Sequence, residues 1–166
     1  MISQQKTVLR SIEVLGGASG MAGVVSGVLI LSHSVDPMLF EPFVFYSFFV
    51  MFLVFGVAVW VAGEYAQTVR TNASWWQRSR GLSLAELKAL TQWCPRWIIY
   101  LSLVCGVAGI AMAFQVGDVQ WSPGQPFTER EALGFTAGQS TFCFFALPIL
   151  ASASRMPGNF SRHFGA

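Results

Sequence analysis

The side chains whose types and spacing could do chemistry fall together in one apolar run: Thr136, Gln139, Ser140 and Thr141 lie within six residues of each other. Gln139 is the one amide inside any of the long apolar runs, with Thr141 two positions on. Two roles fit such a set. A hydrogen bond to a neighbouring helix is worth about 0.6 to 2 kcal/mol in a membrane. The functional alternative is contact with an ion or ligand, since polar groups at membrane depth often carry function.

Other chemistry is thinly supplied. The chain has two histidines, His33 and His163, and they flank opposite ends of the apolar region, so they cannot ligate one haem axially. No His, Cys, Asp and Glu cluster has the spacing of a zinc or di-iron site, and no cofactor is expected. The three cysteines, Cys94, Cys105 and Cys143, are odd in number and contain no CxxC pair. They read as small hydrophobes. No phosphate loop, nucleotide fingerprint or Ser/His/Asp set occurs. An enzyme is therefore the least favoured class.

The elements that hold these residues follow from composition and hydropathy. Of the 166 residues 54% are hydrophobic and 11% charged, against about 25% charged in ordinary soluble domains. Lipid is the solvent that accepts so apolar a surface. Four runs, at about 14–32, 43–62, 98–114 and 132–152, contain no Lys, Arg, Asp or Glu. Each approaches the roughly 20 residues a helix needs to cross the hydrocarbon core. The first is followed by no A-x-A-like cleavage site and reads as a retained anchor. The expected fold is all-α: one transmembrane domain over 1–166, an integral membrane bundle of four helices.

Charge sets the expected direction. Lys6, Arg10, Arg70, Arg78, Arg80, Lys88, Arg96, Arg155 and Arg162 flank one side, and Arg130 alone lies on the other. By the positive-inside rule both termini and the long middle loop face the cytoplasm, in the inner membrane of a cell. Acidic Asp36, Glu41, Asp118, Glu129 and Glu131 fall in the two outer loops. The net charge of +2 is too small to suggest nucleic acid.

Small residues repeat on three of the runs. Gly16, Gly20, Gly23 and Gly27 are spaced four, three, four, and Ser102, Gly106, Gly109 and Ala113 repeat that spacing. Gly134 and Gly138 begin a similar stripe in the fourth run. These steps keep one face of a 3.6-residue helix, where backbones can approach closely. Run two instead carries Phe43, Phe45, Phe48, Phe49, Phe52 and Phe55, bulky side chains suited to lipid or a groove. Pro148 is expected to kink run four.

In the middle loop, Ser83 and Glu86 form a capping-box pattern, and Leu84, Leu87, Leu90 and Trp93 follow at helical spacing before Pro95. A short amphipathic helix over about 84–94 is expected at the cytoplasmic interface. Trp75, Trp76 and Trp97 are candidate interfacial anchors beside Arg78, Arg80 and Arg96. Extensive packing surface without visible chemistry points to a structural or accessory subunit of a larger inner-membrane complex, partnered by lipid and other membrane subunits. A small homo-oligomeric channel or transporter using Gln139 and its neighbouring hydroxyls is the alternative.

Overall fold

A computed structural model describes residues 2–34, 41–70, 83–116 and 128–156, and all the regular structure there is helical. The long helices are α1 (Ile2–Leu31), α2 (Glu41–Val69), α4 (Arg96–Val116) and α5 (Glu129–Arg155). A short α3 (Leu84–Leu90) runs into a 3-10 turn at Thr91–Trp93. All four long helices are apolar enough to cross a membrane, over Gln4–Leu31, Phe49–Gln67, Arg96–Val116 and Glu129–Arg155. The chain is a multi-pass membrane protein by this architecture.

The helices outrun the apolar stretches that announce them. α1 starts at Ile2 rather than near 14, and α2 continues to Val69 rather than stopping near 62. Hydropathy marks where lipid can contact a helix, whereas backbone hydrogen bonding carries on through residues such as Lys6, Arg10 and Glu64. Glu41, Glu129 and Glu131 accordingly belong to first turns of α2 and α5 rather than to loops. Glu131 closes a capping box with Thr128, whose N–H donates to the carboxylate at 2.8 Å. His33 ends α1 in the left-handed region at φ 52°, and the Ser34 N–H turns back to the Leu29 carbonyl at 3.1 Å. α5 runs through Pro148 without interruption.

α5 is the centre of the bundle. It is the least apolar of the four helices and the most buried: 56% of its apolar stretch is covered, against 28–33% of the others. α1, α4 and α2 each pack on it, while α2 and α4 make no substantial contact with each other. Met51, Val54 and Ala58 of α2 meet Cys143, Ala146 and Leu150. Ile98 and Cys105 of α4 join Cys94 against Phe144, Leu147 and Ala151. At the opposite end Ile30, Val116, Ala132 and Leu133 close the core. Large apolar side chains elsewhere point outward, among them Phe49, Phe52, Trp60, Leu103, Val104 and Phe114.

Two ion pairs tie the end of the bundle where α1 begins and α5 ends. The Arg155 guanidinium meets Glu13 at 2.9 Å, and Ser154 Oγ donates to the same carboxylate at 2.9 Å. Arg70, just past α2, grips Glu86 of α3 through both carboxylate oxygens. Ser152 Oγ donates to the Leu90 carbonyl, pinning the far end of α3 to α5. α3 is thereby held at both ends.

Candidate helix-packing site

The α1 glycines face three different neighbours along their length. A Cβ built on Gly16 would lie 2.8 Å from Val54 of α2, and one on Gly20 2.9 Å from the Phe144 ring. At Gly23 the obstacle is backbone: Ser140 N and Thr136 O, both at 3.0 Å. At Gly27 it is the Met112 sulfur of α4. Only a residue without a Cβ lets α1 lie this close to α5.

α4 presses on the same turn of α5 from another side. A Cβ on Gly109 would strike Ser140 Oγ and Thr141 Oγ1 and lie 3.1 Å from the Ala137 carbonyl. Ser140 therefore sits at a junction of three backbones, with Gly23 on one side and Gly109 on another. The remaining α4 positions diverge. Among the described residues Ser102 is buried with its hydroxyl oxygen unpartnered, a Cβ on Gly106 would meet nothing within 4 Å, and Ala113 is exposed.

Several polar groups of α5 bond within the protein itself. Gln139 Nε2 donates to the Ser19 carbonyl at 2.8 Å and lies 2.9 Å from Ser19 Oγ, bridging α5 to α1. Its Oε1 is buried without a hydrogen-bond partner among the described residues. Thr136 Oγ1 donates to the Leu133 carbonyl and Ser140 Oγ to that of Ala137, each at 3.0 Å. Both hydroxyls thus donate within their own helix.

Among the described residues, one face of α5 is left open. Gly134, Gly138 and Thr141 are half-buried, and Phe142 and Phe145 are exposed. The face is bounded on one side by Thr141, which meets Gly109 of α4. On the other, Phe142 packs edge-on against Phe55 of α2, centroids 5.1 Å apart. A Cβ on Gly138 would meet nothing within 4 Å.

In the α3 region Leu90 is buried, whereas Leu84, Leu87, Trp93 and Trp97 are exposed. Trp75 and Trp76 lie outside the described residues, as do Arg78, Arg80 and His163. His33 Nδ1 lies 3.4 Å from Glu129 at the other end of the bundle. The three thiols are free and buried, and burial pushes that of Cys94 up to about 11. Among the described residues no three His, Cys, Asp or Glu side chains gather as a metal site.

The sequence signals some of these contacts and not others. The Thr128–Glu131 cap carries the same T-x-x-E signal that marks Ser83–Glu86, and it was readable. Glu13, the one acid just ahead of the first apolar run, hinted at a partner such as Arg155. Nothing local signals that Arg70 reaches Glu86. No protein-family model matches the chain, and neither curated proteins nor solved structures give a match.

Proposed function

We propose that this chain is a non-enzymatic accessory subunit of a larger inner-membrane assembly, with both termini in the cytoplasm and α3 at the cytoplasmic interface. The observation that carries the reading is the open face of α5. A lipid-facing helix gains from bulk, yet this face keeps Gly134 and Gly138 beside Phe142 and Phe145, with space above Gly138. Small residues next to an aromatic ridge accept a further helix closely, and close packing is what associates helices in lipid. The partner is another membrane subunit.

Gly138→Leu tests this directly. It fills space that the chain's own helices leave empty, so the bundle should fold and migrate normally in gentle detergent. Recovery of the co-purifying partner, identified by mass spectrometry at matched expression, should fall about tenfold or more, the equivalent of 1.4 kcal/mol. Normal recovery of the partner with Gly138→Leu sinks the proposal. A pure self-oligomer that conducts ions in empty liposomes, and loses conduction with Gln139→Leu, would establish the channel or transporter instead.

A further inference from the structure

We propose that α3 and the first turn of α4 form a docking surface for a bilayer face containing anionic phospholipid, with Lys88 and Arg96 meeting headgroup phosphates. This deepens the interfacial placement of α3 proposed above and rests on it, but it is independent of any partner subunit.

The orientation of α3 carries the inference. Its polar Glu86 is turned inward to Arg70 and its Leu90 is buried under Ser152. Leu84, at 86% exposure, and Leu87, at 36%, are turned outward, and Lys88 adjoins Leu84 on the same side of the helical wheel. A short helix washed by water would gain by the reverse arrangement, with its acid outside and its leucines covered. Clamped at both ends, α3 has little freedom to roll those leucines inward.

Continuity identifies the occupant. Trp97 (64% exposed), Tyr100 (68%), Val104 (68%) and Val107 (55%) follow one another at steps of three and four along α4. This is an outward face of a helix long and apolar enough to cross a membrane. Trp93, Leu87 and Leu84 extend the surface beyond the start of that helix. The medium that covers Tyr100 and Val104 is lipid, so its headgroup layer is what meets Trp93 and Trp97.

Charge selects the headgroup. From 83 to 97 the sequence has three ionic side chains, Glu86, Lys88 and Arg96. Arg70 engages Glu86 and holds its carboxyl down to about 2, so the acid stays spent on the clamp. The exposed charges are both positive, and an anionic phosphate surface complements them.

The test uses the full chain in nanodiscs of phosphatidylcholine alone or mixed with phosphatidylglycerol. A nitroxide on Leu84→Cys should report a depth within the headgroup region. Phosphatidylglycerol retained on the protein through delipidation should fall about fivefold for each of Lys88→Gln and Arg96→Gln. Phosphatidylcholine retention should not change. Both variants are surface residues, and unchanged helical circular dichroism checks their fold. A water-exposed nitroxide in both discs overturns the docking surface. Equal depth with no lipid preference overturns the anionic headgroup. Shielding of Leu84 only after a second protein is added would assign the surface to that protein. Each of these results leaves the outcome of the Gly138→Leu experiment standing on its own.

Discussion

Gly23 and Gly106 belong to two identically spaced strips, yet they will respond differently to bulk. Gly23 faces the backbone of Thr136 and Ser140, which cannot rotate away. Gly23→Leu should destabilise the bundle by about 1–3 kcal/mol, read from unfolding in detergent as an earlier midpoint. Gly106→Leu should stay within about 0.5 kcal/mol, because its Cβ has no neighbour within 4 Å. Equal losses in the two variants would show that the packing at Ser140 is not what holds α1 to α5. Gln139→Leu removes two contacts to Ser19 but also a buried, unpartnered carbonyl. Those effects oppose, and a net change below about 1 kcal/mol is expected in the same assay.

Among the elements, the four long helices were legible because twenty apolar residues leave few alternatives, and Ser83–Glu86 was legible because a cap is a local pattern. What each strip faces was not. Spacing places Gly16 to Gly27 on one side of α1, but the neighbour changes from Val54 to Phe144, Ser140 and Met112 through tertiary contacts that no local pattern encodes. The same holds for α3, whose leucines separate into one buried and two exposed only because Arg70 and Ser152 fix its roll. That clamp has a pH signature. Arg70, followed by the Ser83 cap, lowers the Glu86 pKa from 4.5 to about 2, so the folded form binds its proton less readily than the released one. The clamp's contribution is complete above about pH 4.5 and is lost as pH falls toward 2. A nitroxide on Ala85→Cys should stay immobile at pH 6 and loosen over that interval. In Glu86→Gln it should be mobile at both ends of the range.

At the scale of the whole molecule, the polar helix is inside and the apolar ones surround it. Lipid cannot solvate the Thr136, Gln139, Ser140 and Ser154 side chains, so the helix that carries them is covered by three others. Glu13 and Arg155 fasten the first and last of these helices together. Glu13→Ala should cost less than the roughly 3–5 kcal/mol of a fully buried pair, since Arg155 is 32% exposed. The exchange Glu13→Arg with Arg155→Glu should recover part of the loss, and no recovery would mean that Ser154 and local packing dominate.

The central place of α5 also bears on biosynthesis. The ribosome delivers α1, α2 and α4 before it, and those helices touch one another sparingly. Until Glu129–Arg155 enters the membrane, the earlier segments have inserted without a common partner, and their glycine faces stand open to any passing helix. Most of the packing is therefore expected to form late, once α5 has entered. A nascent chain stalled in the segment after Val116 should remain a set of loosely associated spans, available to membrane chaperones and proteases, whereas one released after Arg155 closes around its own centre.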